Sequence, residues 1–136
     1  MFTHQVERLN LADNSISDYG MHAMKTVVKN VDLKSLNLAS NMISGEGFEL
    51  LLDDLIEDKY LQHLDMGIVE GSMRKNSLGV QGAVCISALL IKNKVLESLS
   101  INDNDFGEDG GECIGIALSQ NDTLKTLKIG ENDLKS

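Results

Sequence analysis

The stretch Leu33-Lys34-Ser35-Leu36-Asn37-Leu38-Ala39-Ser40-Asn41-Met42-Ile43-Ser44-Gly45-Glu46-Gly47 decides the reading of this chain. Its first half alternates apolar and polar residues, the signature of a short strand. Asparagine, an apolar residue two positions on, and a glycine four further follow. The next residues change period: Phe48, Leu51, Leu52, Leu55 and Ile56 fall on one helical face, with Glu46, Glu49, Asp53, Glu57 and Asp58 opposite. Strand, turn and helix follow within one unit.

The same unit recurs. With Asn14, Asn41, Asn76, Asn104 and Asn132 in one column, the preceding segments align. They are Val6–Leu11, Leu33–Leu38, Leu61–Met66, Leu96–Ile101 and Leu124–Ile129. Ile16, Ile43, Leu78, Phe106 and Leu134 form the apolar column, and Gly20, Gly47, Gly82 and Gly110 the glycine column. Units start 27, 28, 35 and 28 residues apart. A doubly wound sheet alternates strand and helix but does not repeat its sequence in register. One strand and one helix cannot bury their shared face alone, so the units must stack.

This pattern, L-x-x-L-x-L-x-x-N-x-I-x-x-x-G and a helix, resembles the leucine-rich repeat in its long, ribonuclease-inhibitor-like subclass. The resemblance implies an α/β fold: a right-handed solenoid arc with an inner parallel β-sheet and outer helices, in about four and a half repeats. The repeats are 6–32, 33–60, 61–95, 96–123 and a partial 124–136, forming one domain over 1–136. Helices are expected near 18–30, 46–58, 80–93 and 108–120. The structural asparagines Asn14, Asn41, Asn76, Asn104 and Asn132 each carry a donor and an acceptor. Each is expected to satisfy the turn of its own unit and of the next. The glycines fit either a close approach or a special backbone angle.

Unit three is seven residues too long, and its insertion is assigned to 67–73, on the strand-to-helix edge. The segment presents Ile68, Val69 and Met73, expected to be exposed, and runs into the cations Arg74 and Lys75. Both ends look uncapped. They are expected to be covered by more of a longer array or by another chain, with self-association through them as one outcome.

Charge narrows the function. Twelve Lys and Arg against 21 Asp and Glu give a net charge of -9, which disfavours nucleic acid and anionic membrane surfaces as partners. No apolar run has the length of a spanning helix. Two cysteines make no disulfide framework, and the expected compartment is cytoplasmic. The alternative is a secreted effector acting in a host cytosol. The sequon Asn121-Asp122-Thr123 is a weak glycosylation signal.

Candidate chemistry is sparse. His63 and Asp65 share one strand face, and Ser35 and Ser98 occupy the column of His63, but no oxyanion donors accompany them. Cys85 and Cys113 match on adjacent helices and are read as free thiols. Asp103-Asn104-Asp105 resembles a calcium loop only faintly, since its spacing does not give the twelve-residue loop. No cofactor, metal or catalytic residue is expected.

The strand positions facing away from the helices form the candidate partner-binding columns. They are Arg8, Ser35, His63, Ser98 and Thr126, then Asn10, Asn37, Asp65, Ser100 and Lys128. A third begins Ala12 and Ala39 and resumes with Asn102 and Gly130. Asp13, Asp103 and Glu131 make the neighbouring rim acidic. The resemblance implies a non-enzymatic protein-protein interaction module, using these columns with Ile68, Val69, Met73, Arg74 and Lys75. The alternatives are a regulator of an enzyme in trans, activator-like for a GTPase or inhibitor-like, and a pathogen effector binding a host protein.

Overall fold

The computed structural model describes residues 6–134. Strands β1 (Arg8–Asn10), β2 (Ser35–Asn37), β3 (His63–Asp65), β4 (Ser98–Ser100) and β5 (Thr126–Lys128) alternate with helices α1 (Ser17–Asn30), α2 (Gly45–Glu57), α3 (Gly79–Lys92) and α4 (Gly107–Ser119). The strands form one sheet in chain order, and every pairing is parallel. The helices lie within one residue of their expected bounds. Each strand is one residue shorter at its C-terminal end than the alternation implied, because the chain turns inward at once.

Register follows the repeat. Leu9, Leu36, Leu64, Leu99 and Leu127 pair strand to strand. They form the inner wall of a core completed by Met21 and Val28 of α1, Phe48, Leu51 and Leu55 of α2, Ile86 and Leu89 of α3, and Ile114 of α4. The three central leucines are buried, whereas Leu9 and Leu127 at the two edges are half-buried. Leu52 and Ile56 also pack only partly, and Leu118 is exposed. The narrower stripe leaves Phe48, Leu51 and Leu55 as the buried face of α2.

The asparagine ladder runs opposite to the expected direction. Backbone N–H groups at the strand ends donate forward: Leu11 to Asn37, Leu38 to Asp65, Met66 to Ser100 and Ile101 to Lys128. The carbonyls of Leu11, Leu38, Met66 and Ile101 are filled by Nδ2 of the following unit's asparagine: Asn41, Asn76, Asn104 and Asn132, at 2.9–3.1 Å. Each Oδ1 likewise accepts from the preceding unit: Asn41 from Ile16, Asn76 from Asn41 and Ile43, Asn104 from Leu78, and Asn132 from Asn104. Each asparagine therefore serves its own unit and the previous one. Asn14, which has no such partner unit among the described residues, is exposed and bonds only to Leu11 and Ala12.

The glycine column reflects close approach. A Cβ on Gly110 would stand 3.0 Å from the Ala83 Cβ of α3, so α4 lies against its neighbour there. Left-handed glycines occur elsewhere, at Gly79 and Gly107, which open α3 and α4 with φ of 62° and 69°.

A second set of polar caps closes the opposite end of units two to four, whereas Asn30 at that register in unit one donates only to Thr26 of its own helix. Asn93 donates to Leu55 and Asp58 carbonyls and accepts from Val95 and Leu96 N–H; Asn121 donates to Leu90 and accepts from Thr123 and Leu124. Asp58 takes the same register in unit two, accepting from Tyr60 and Leu61. The asparagine of the sequon is thus a half-buried structural residue.

Candidate functional site

The parallel register brings the predicted columns together. Arg8, Ser35, His63, Ser98 and Thr126 are successive partners, as are Asn10, Asn37, Asp65, Ser100 and Lys128. Neighbouring strands lie about 4.8 Å apart, so each column is a continuous row. Seven of these residues (Ser35, Asn37, His63, Asp65, Ser98, Ser100 and Lys128) line one depression of 210 Å³ on the sheet. Arg8, Asn10 and Thr126 flank it and are exposed. A larger depression, 330 Å³, lies beyond the helix C-termini between Val28 and Tyr60. Two of its four carboxylates are locally engaged: Asp54 pairs with Lys25, and Asp58 caps the Tyr60 turn.

The second column is partly structural. Asn10, Asn37 and Asp65 each accept, through Oδ1, the N–H two residues on, at Ala12, Ala39 and Gly67. These Asx turns start the inward bend. They also engage the carboxylate that would orient His63. Among the described residues no hydrogen bond joins His63 to Asp65, Ser35 or Ser98, so the nucleophile-base-carboxylate relay is not assembled.

Gly67 does not belong to the insertion. Its backbone carbonyl accepts from Ser40 N–H, as those of Ala39 and Gly130 accept from Asp13 and Asp103. It fills the gap in the third column between Ala39 and Asn102. The inserted residues are therefore 68–74.

This segment is a strap and does not stand off as a bulge. Val69 N–H donates to Ser40 Oγ, and Met42 N–H donates to the Arg74 carbonyl, so the strap runs over unit two. It reaches Asp13 of unit one, whose Oδ1 accepts from Ser72 Oγ at 2.7 Å and Arg74 Nη1 at 3.2 Å. At its other end Lys75 Nζ lies 3.0 Å from Asp103 and 3.1 Å from Asp105. Asp105 also accepts from Ser77 Oγ. Ile68 and Val69, expected to be exposed, are half-buried; Met73 stands 95% exposed. Arg74 and Lys75 are already paired with the chain's own acidic rim. The Lys75 ammonium lies between the two carboxylates of the calcium-like tripeptide, and Asn104 between them faces the core. Solvent screens half-exposed pairs of this kind, so the strap is fastened without being locked.

The titration of the rim makes this fastening pH-dependent. The Ser72 hydroxyl, helped by Arg74, holds Asp13 below the ordinary carboxylate range. Ser77 first, then Lys75, does the same for Asp105. Asp103 and Asp105 raise Lys75. A carboxyl depressed in the folded state contributes stability above its unfolded pKa and loses it as pH falls through the folded value; the raised lysine loses its contribution only on the alkaline side. Amide exchange should therefore show Ser72 and Arg74 protected at neutral pH and released in acid below the usual carboxylate range. Equal protection on both sides of that range would show that the ion pairs do not hold the strap.

The cysteines are free thiols. Burial first, and the charge of Glu49 second, push the Cys85 thiol up. Cys113 is half-buried, with Sγ 3.0 Å from Ser87 Oγ. Among the described residues, no helix is long and apolar enough to cross a membrane.

Comparisons with known proteins agree with this architecture. A leucine-rich repeat family model matches residues 29–52 and 92–115. Among solved structures, one titled leiomodin-1 actin-binding site 2 superposes with a TM-score of 0.76 at 18% identity, over 90% of this chain and 69% of that one. No curated protein matches in sequence. The repeated units are leucine-rich repeats, and the fold is a leucine-rich-repeat solenoid.

Proposed function

We propose that this leucine-rich-repeat chain is a non-enzymatic binding module that holds a partner protein on its exposed sheet face and strap. The observation that carries the reading is the shared depression on the sheet: seven polar side chains from four strands converge there, with Leu36 and Leu64 completing its lining. Such a surface offers hydrogen bonds at fixed spacing and excludes little water. It suits recognition of a complementary surface better than a small apolar ligand. Large aromatic anchors are absent from its columns, so the strap, with open Met73, supplies the apolar contact that the sheet lacks.

Site-specific photocrosslinking tests this. A photoreactive residue at Ser98 or Met73 should capture the partner that the intact chain retains. The same group at Thr26, on the exposed outer side of α1, should not. Capture from Thr26 alone would reject the sheet face.

A second reading takes actin as the partner, supported by the fold likeness to the leiomodin-1 segment whose title names actin binding. Co-sedimentation with actin filaments and titration with monomeric actin separate it from the general reading. Regulation of an enzyme in trans would use the same face.

A further inference from the structure

The repeat supplies its own control for the outer helical surface. Aligned on Gly20, Gly47, Gly82 and Gly110, the position of Val84 is occupied in the other three helices by His22, Glu49 and Glu112. That of Val80 is occupied by Asp18, Gly45 and Glu108, and that of Ile91 by Lys29, Ile56 and Ser119. Only α3 is apolar at all three. Val80 and Val84 are 53% and 55% exposed, and Ile91 is 39% exposed.

These residues and Ser87 stand at i, i+4, i+7 and i+11, with Ser87 itself buried between α3 and α4. On α4, Asp109, Cys113 and Ile116 form a second such row, at i, i+4 and i+7. The contact between Ser87 Oγ and Cys113 Sγ joins the two rows. Ile116, 55% exposed, therefore extends the apolar surface of α3 onto α4. Carboxylates border both sides. Asp109 and Glu112 are exposed on α4, while Glu49, which accepts from Gln81 Nε2 of α3, and Asp53 are exposed on α2.

We propose that the outer face of α3, bordered by α4, docks a helix of a partner protein that carries an apolar stripe flanked by lysine or arginine. The stripe from Val80 to Ile91 is about 17 Å long, or three helical turns. Apolar contact gives the affinity, and the flanking carboxylates choose the sign of the partner's charge. A second copy of this chain would bring the same carboxylates against one another, and an anionic membrane would meet them with like charge. The site is separate from the sheet face and survives or fails independently of it.

The test uses the full chain, isotopically labelled, and a synthetic 14-residue helical peptide with leucine on one face and lysine elsewhere. A twin peptide carries glutamate for lysine. The lysine peptide should shift amides in 80–91 and 109–116. It should lose at least tenfold in affinity towards the double variant Val84→Ser/Ile116→Ser, whose exposed positions leave the fold intact, and should weaken with added salt. The glutamate peptide should not bind. Absence of binding, shifts confined to the strands or strap, full affinity in the double variant, or equal binding of the glutamate peptide would each overturn the proposal. So would dimerisation of the chain abolished by the same double variant, or its binding to anionic vesicles through these residues.

Discussion

Replacing Asn76 by alanine is expected to destabilise the fold by about 3 kcal/mol, from the unpaired buried groups it leaves. Its Oδ1 accepts from Asn41 and Ile43 at 3.0 and 2.9 Å, and its Nδ2 donates to Leu38 and Met66. All four groups lie at the junction of units two and three, and Asn76 is fully buried. An unpaired buried group costs about 1–3 kcal/mol, but water entering the vacated space recovers part of the sum. A loss of this size is a large fraction of the about 5–15 kcal/mol that ordinary domains possess. Asn76→Asp separates the two halves of the role. It keeps the acceptor and loses the donors, setting a carboxylate against two carbonyls. It should be as damaging as alanine at neutral pH and recover in mild acid, where the protonated carboxyl can donate one bond. Asn14→Ala, at the same column position, should cost less than about 0.5 kcal/mol, because Asn14 is exposed and makes no bond to another unit. Denaturant midpoints that placed Asn14→Ala and Asn76→Ala together would show that the column is a sequence habit without cross-unit bonding.

That contrast marks where the sequence stops being informative. A five-fold column of asparagines announces a shared task, because a carboxamide carries two donors and an acceptor on separate atoms of one short side chain. Its direction is not in the column. It depends on which carbonyls the parallel ladder leaves open, and those follow from the slant of the Leu11-to-Asn37 and Leu38-to-Asp65 bonds. The second set of caps was legible and missed. Asn93 and Asn121 lie three residues before Leu96 and Leu124, in a register as strict as the first. Asp58 in place of asparagine at that position obscures it, since the acid can accept the Tyr60 and Leu61 N–H groups but cannot donate.

The sheet face was legible for the same reason as the fold: period two and parallel stacking assign every outward side chain to a row. The strap was not. Its length excess of seven showed that something left the repeat, and its composition suggested an exposed apolar and cationic finger. Its path depended on tertiary electrostatics. Arg74 and Lys75 are close to a rim carrying Asp13, Asp103 and Asp105, and an intramolecular counterion at about 3 Å pre-empts one on a partner. Gly67 kept the register of the repeat, just past the end of β3, because an Asx turn at Asp65 and the bond from Ser40 hold it there.

Deleting residues 68–74 should preserve the fold and weaken binding of the sheet-face partner at least tenfold, or about 1.4 kcal/mol. Preservation follows from the repeat. The deletion joins Met66-Gly67 to Lys75-Asn76, reproducing Leu38-Ala39-Ser40-Asn41 and a 28-residue unit. The bonds lost by the fold are those to Asp13, Ser40 and Met42 N–H; Asp13 and Met42 are exposed, and of the three only Ser40 is buried, while the Asn76 bonds to Leu38 and Met66 remain available. The binding loss follows from what the sheet lacks. Its rows hold small polar side chains, each replacing water at little net gain. Met73 is the large apolar side chain that the strap leaves open, and the Asp13 anchor holds it over units one and two. Two point variants separate contact from positioning. Met73→Ser removes the apolar contact and leaves the strap fastened. Asp13→Asn weakens the fastening and keeps the Met73 side chain, so its affinity deficit relative to the intact chain should shrink as added salt screens the intact chain's Arg74–Asp13 pair. With circular dichroism and denaturant midpoint confirming a folded deletion variant, full affinity for the partner would assign recognition to the sheet rows alone and reduce the strap to a clasp across units one to four.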